Sequence, residues 1–159
     1  MRFPLASNRI RRGLVSHSYG MVRKYPDGRK KPHQGWDFSA AVGTPCYAVA
    51  AGKVHSLRNA GDYGRQLLLE LDEAVGGARF AFYAHLDDVV VGVGERVAEG
   101  QLVGHTGNSG NAYVLDDADD HLHFETRTEP WPGLGLPGRV SPLAWFGVCP
   151  THVAVDVPG

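Results

Sequence analysis

Val93-Gly94-Glu95-Arg96-Val97-Ala98-Glu99-Gly100-Gln101-Leu102-Val103-Gly104 is the stretch on which the fold class turns. Its glycines stand where a backbone must turn sharply. Val97 and Leu102 are spaced to face a core. This is the pattern of a corner in a small β-barrel. Working outward, candidate strands are Pro45–Ala51, Gly52–Asn59, Arg65–Leu71, Arg79–His85, Arg96–Val97, Leu102–His105 and His121–Thr126. Turn signals separate them at Asn59-Ala60-Gly61-Asp62, Val75-Gly76-Gly77 and Asn108-Ser109-Gly110-Asn111. The run Gln66–Leu71 is apolar enough to be buried on both faces. With 21 Gly, 10 Pro and little helical periodicity, the chain reads as all-β: a small antiparallel sheet or open barrel with long surface loops. One helical turn is predicted over Ser141–Phe146, with Ser141 as N-cap and Pro142 at the first position.

The 159 residues suffice for one self-sufficient core, and 1–159 reads as a single domain. A formal net charge of -1 gives no basis for a nucleic-acid partner. No apolar run approaches the ~20 residues that cross a bilayer, so no membrane anchor is predicted. Met1-Arg2-Phe3-Pro4-Leu5-Ala6-Ser7 lacks the apolar centre of a secretory signal. Cys46 and Cys149 make no disulfide framework and are predicted free, Cys46 as a buried small hydrophobe.

Two places carry chemistry. In His121-Leu122-His123, strand geometry sends both imidazoles to one face. Upstream, His33-Gln34-Gly35-Trp36-Asp37 adds another imidazole and a carboxylate. Imidazole with carboxylate is the donor set of a catalytic zinc. Each motif alone is ordinary, since a lone His-x-His is more often surface or structural. The glycine corner also occurs in lipoyl- and biotin-carrier domains. A carrier needs a modifiable lysine on a hairpin tip, and no lysine follows Lys53.

Five motifs in order make the chain resemble the lysostaphin/LytM-type zinc metallopeptidases, which cut cross-links or stems in bacterial peptidoglycan. His33–Phe38 is similar to that family's H-x-G-x-D-[FIL], and Gly43–Val54 to its G-T-P-V-x-A-x-x-x-G-x-V strand pair. Tyr83-Ala84-His85-Leu86 is similar to Y-x-H-L, Gly94–Gly104 to the glycine corner, and His121–Glu125 to H-L-H-F-E. The likeness runs from about Ile10 to about Phe146. It implies Zn2+ held by His33, Asp37 and His123, and a catalytic pair, His85 and His121. Three N/O ligands leave the open position of a catalytic zinc, which brings the pKa of water from ~15.7 toward ~7. His121 is assigned the proton transfer and His85 the stabilisation of the intermediate.

Glu125 alternates onto the face of His121 and His123, and reads as an orienting carboxylate or a core salt link rather than a base. Trp36 and Tyr83, beside the motif residues, are candidates for the substrate groove, as is Trp131; core packing is the competing reading. His17, His55, His105 and His152 match no catalytic element and read as surface or structural. The segment Asn111–Asp120 departs from the family, which often carries a short Ser/Thr-Gly stretch there. It reads as a solvated acidic turn, with a groove wall or a calcium site as alternatives. Trp131–Gly138 reads as an irregular wrap near the site.

The expected function is therefore a zinc-dependent endopeptidase acting on peptidoglycan in the periplasm or extracellular wall. The alternative is a catalytically silent relative that binds peptidoglycan or activates an amidase, which the five filled site positions disfavour. The lack of a leader points to a trimmed chain, a phage lysin, or an antibacterial effector delivered by a secretion system. The last would imply a cognate immunity protein. The bond cut stays open among pentaglycine bridges, D-Ala–diaminopimelate cross-links and stem bonds.

Overall fold

The computed structural model describes residues 1–158. In chain order the elements are β1 (Ser7–Asn8), β2 (Gly20–Lys24), β3 (Lys30–His33), β4 (Trp36–Ser39), β5 (Pro45–Tyr47), β6 (Gly52–Asn59), β7 (Arg65–Val75) and β8 (Ala78–Val89). There follow β9 (Arg96–Val97), β10 (Leu102–Thr106), β11 (His121–Arg127), β12 (Arg139–Val140), α1 (Leu143–Phe146) and β13 (Val155–Asp156). The main sheet runs β12-β11-β8-β7-β6-β9, with β4 beside β11 and with β10 joining β8 to β5. All its pairings are antiparallel. The all-β reading holds.

The apolar run of β7 is buried on both faces, as its composition demands. Leu67, Leu69 and Leu71 join the main core with Phe38, Tyr83, Leu122 and Phe124. Leu68 turns the other way, to a small cluster with Phe80, Phe82 and Ala84. Along β8, then, residues 80, 82 and 84 share one face and Ala81 and Tyr83 the other. That alternation breaks at His85, whose φ is 60°, left-handed and uncommon for a residue with a Cβ. Leu86 then lands in the main core beside Tyr83, where strict alternation would have sent it to the opposite face. At the same point β8 changes partner: Phe80–Ala84 pair with β11, and Leu86–Val89 with β10.

In the glycine corner, Val97 is buried as expected, but Leu102 faces solvent and Val103 takes the core position. The register between β10 and β5 shifts between Leu102 and Gly104, which reverses the facing. The strand expected over Pro45–Ala51 stops at Tyr47, because Ala48 turns off to pair with Gln101 and Gly100. β3 and β4, which carry site residues, were not among the expected strands. The helical turn forms as α1 (Leu143–Phe146), with Ser141 Oγ accepting from Leu143 N at 3.2 Å. Both cysteines are free and Cys46 is buried, which pushes its thiol up to about 12.

Trp36 and Tyr83, expected in the groove, belong to the core instead. Trp36 is 1% exposed and packs on Phe38 and Phe146, since it alternates with Asp37 onto the core side of β4. Tyr83 is 0% exposed, and its hydroxyl donates to Tyr47 O and accepts from Val49 N inside the core.

Candidate metal centre

β4 and β11 lie side by side with Asp37 directly opposite His123. Their close approach needs Gly35, where a Cβ would collide with the Phe124 carbonyl oxygen. β3 delivers His33 from the other side. Asp37 Oδ1 lies 2.8 Å from His123 Nδ1 and 3.1 Å from His33 Nε2. Among the described residues, His33, Asp37 and His123 are the one group of three or more such side chains with ligand atoms close enough to share an ion.

The donor set fits a metal on chemical grounds. His33 Nδ1–H donates to Ser18 O at 2.8 Å, which leaves Nε2 as a lone pair. His123 Nε2–H donates to Glu125 Oε1 at 2.9 Å, which leaves Nδ1. Such outer partners fix ring orientation and tautomer in metal sites. The outer oxygen of the aspartate is also held: Asp37 Oδ2 accepts from Arg23 Nη2 at 2.9 Å and lies 3.3 Å from His17 Nδ1. His17, read from the sequence as surface or structural, thus lies against the Asp37 carboxylate. Arg23 had no signal of its own in the sequence.

Burial pushes the Asp37 carboxyl up, but the imidazoles of His123, His17 and His33 around it outweigh that and hold the group well below the usual carboxylate range. Burial also pulls His123 down, yet its bonds to Asp37 and Glu125 prevail and raise the ring to about 9. An imidazole with a carboxylate oxygen at each nitrogen keeps both protons until a cation replaces one. His33 is lowered by burial.

His121 and His85 adjoin this cluster. His121 Nε2 is 3.8 Å from Asp37 Oδ1, and its Nδ1–H donates to Asp119 O at 2.9 Å. The His85 ring centroid is 4.9 Å from that of His121, and its Nδ1–H donates to Ser109 O at 2.8 Å. Burial lowers both rings, and the neighbouring His123 and His121 help to take His85 to about 3. All five residues predicted for the site therefore converge on one groove of about 390 Å3.

Glu125 bonds His123 and is also a buried hub. Its Oε2 accepts from Arg127 Nε and Arg139 Nε, each at 2.7 Å. Burial pushes its carboxyl up, but His123 and the two arginines hold it far below the usual range. Arg127 bonds Pro130 O, and Arg139 bonds Gly133 O and Gly135 O, so this hub fastens the 130–138 wrap that brings Leu134 to the groove. Trp131 is not a free platform, because the Arg58 guanidinium lies 3.3 Å from its ring centroid. Tyr63 escaped the sequence reading. Its hydroxyl donates to Glu125 Oε1 at 2.6 Å, beside the Gln34 amide at 2.8 Å, and its ring stacks on His123 at 5.3 Å. An aromatic in the Gly61–Gly64 turn was the only signal for it.

The acidic segment is a pair of 3-10 turns, Gly110–Val114 and Asp117–Asp119. Asp116 and Asp117 are solvated, as expected, and Asn111 and Leu115 line the groove. Asp119 instead is buried against Arg11 and Arg12. Among the described residues, no group of His, Cys, Asp or Glu side chains close enough to share an ion includes this segment. His55, His105 and His152 lie away from the site; His105 pairs with Asp88 at 2.7 Å.

Residues 31–132 match peptidase family M23, and the chain belongs to that family. It is 34% identical over 112 residues to the peptidoglycan DD-endopeptidase ShyB of Vibrio cholerae, a match spanning 70% of this chain and 24% of that protein. It superposes on a zinc-containing peptidase from Vibrio cholerae with a TM-score of 0.65 and 31% identity, covering 86% of this chain and 40% of the other. The catalytic domain of lysostaphin from Staphylococcus simulans gives a TM-score of 0.65 at 27% identity, with 82% and 90% covered. The fold is therefore of the lysostaphin/LytM type. The chain spans about a quarter of the length of the curated relatives it matches.

Proposed function

We propose that this domain is a zinc-dependent endopeptidase that hydrolyses peptide bonds in bacterial peptidoglycan, outside the cytoplasm. The convergence of His33 Nε2, Asp37 Oδ1 and His123 Nδ1, with each ring anchored through its other nitrogen, carries the proposal. These three residues would hold Zn2+, which when bound acidifies a water and polarises the scissile carbonyl.

The rest is proton work by His121 and His85. A carbonyl only accepts, so Asp119 O and Ser109 O fix the proton of each ring on Nδ1 and leave each Nε2 as an acceptor. A ring in that tautomer must take a proton before it can give one. His121 is the better acceptor, because burial with His123 and His121 beside it depresses His85 to about 3. His121 thus takes the proton from water and returns it to the leaving amine. His85 stays neutral and orients the water through its Nε2 lone pair. The oxyanion donor expected of His85 would need a proton on Nε2, which its bond to Ser109 O opposes.

Metal analysis of the purified protein and mass spectrometry of products from sacculi test the reading. Zinc near one per chain and new peptide ends are expected, both lost in His123→Ala. Protein without zinc that releases no muropeptide would end it. Sacculi of two wall chemotypes would identify the bond.

A further inference from the structure

We propose that Arg11 and Arg12 are positioning residues for His121, acting through Asp119; the inference rests on the peptidase reading of the same site. Both lie outside the stretch that matches the family, residues 31–132. Arg12 grips Asp119 with two nitrogens, Nε to Oδ1 and Nη2 to Oδ2, each at 2.6 Å. Arg11 Nε reaches Oδ1 at 3.1 Å. A planar guanidinium meeting a carboxylate along two parallel bonds fixes direction as well as distance. The carbonyl of that same residue takes the Nδ1 proton of His121 at 2.9 Å. Pinning the Asp119 side chain therefore aims the carbonyl that sets the tautomer of the ring.

The backbone is shaped for the grip. Arg12 has φ 54° and Gly13 φ 64°, two successive left-handed residues. For arginine that conformation is uncommon and persists where surrounding contacts hold it. The segment is itself anchored: Ser39 N donates to Arg9 O at 2.9 Å, and Ile10 N to Pro150 O at 2.8 Å. Ser39 belongs to β4, the strand of Asp37, so clamp and metal ligand share one frame. The acidic loop, without a role in the family motifs, thereby gains one at Asp119.

Asp119 and Glu125 flank His121 and His123 on either side, and the two arrangements correspond. Each carboxylate takes two arginines, and each residue also bonds one site histidine. The second ties a metal ligand to the 130–138 wrap. The first ties the proton-transfer ring to the N-terminal segment.

Asp119→Asn keeps the carbonyl and removes the charge; Arg11→Ala/Arg12→Ala removes the grip; Arg12→Lys keeps the charge without the fork. Two readouts are paired. One is kcat and KM on a cross-linked stem dimer. The other is the His121 tautomer, read from long-range 1H–15N correlations of its ring nitrogens, which needs no turnover. In Asp119→Asn and in the double variant, kcat is expected to fall about tenfold, with KM within about twofold. Zinc content should hold, and His121 should shift from a single Nδ1–H form to a mixture. Arg12→Lys should recover part of both. An unchanged tautomer and kcat, or loss of zinc together with kcat, would overturn the proposal. If the unmodified protein cleaves nothing, the peptidase reading falls, while the tautomer readout still decides the clamp.

Discussion

Asp37 and His123 face each other across adjacent antiparallel strands, and their side chains meet at 2.8 Å where His33 also arrives. Backbone pairing thus sets the spacing between two of the three proposed ligands. Replacing His123 with Ala should abolish stoichiometric zinc by metal analysis. Chelation of the unmodified protein should abolish cleavage, and added zinc should restore it.

Without metal, the same pair makes stability depend on pH. His123 is raised to about 9 from an ordinary 6.5. The folded state then holds a proton that the unfolded chain gives up, so this contribution is complete below about 6.5 and is lost as pH rises through about 9. The melting temperature of chelated protein should therefore drop between about pH 7 and pH 10. His123→Gln should flatten that drop, and an unchanged slope would contradict the assignment.

Glu125→Gln tests the buried hub. The substitution weakens the partner that orients His123, so zinc affinity should fall about 10- to 100-fold in a chelator competition. It also leaves Arg127 and Arg139 buried without a countercharge, at a cost of about 3–5 kcal/mol in chemical denaturation.

Gly35→Ala should be worse than its size suggests. The new methyl meets the Phe124 carbonyl and Glu125 Cγ, so β4 must move off β11. A stability loss of about 1–3 kcal/mol is expected, together with weaker zinc binding, because Asp37 moves with the strand.

His85 permits a separation of chemistry from strain. Its φ of 60° suits glycine, whereas alanine pays about 1 kcal/mol for it. Both His85→Gly and His85→Ala should lose about 10²- to 10⁴-fold in kcat. His85→Gly should nevertheless melt a few degrees above His85→Ala, roughly 2–4 °C for a domain of this length. Equal melting temperatures would remove the claim of strain.

How much the sequence revealed depended on whether alternation held. His121 and His123 were legible because β11 is regular, and Glu125 followed from the same alternation. Alternation also places Trp36 opposite Asp37, in the core, a consequence that proximity in sequence obscured. β3, Lys30–His33, escaped notice because it is polar and pairs only with β2 in a two-stranded sheet. Arg23, His17 and Tyr63 reach the centre from turns and a small hairpin, where no periodicity announces a face. His85 was found through its motif. Its direction was invisible, because only the kink turns it away from the side of Tyr83.

That kink has a consequence for when the five residues can meet. A left-handed histidine is a poor choice for an isolated chain, and here it is held where β8 passes from β11 to β10. The proposed ligands it faces are spread from His33 to His123, so no short piece of chain brings them together. The assembled cluster is a property of the paired strands and not of any one segment. An unfolded polypeptide carries all five residues without the arrangement that the proposed chemistry needs.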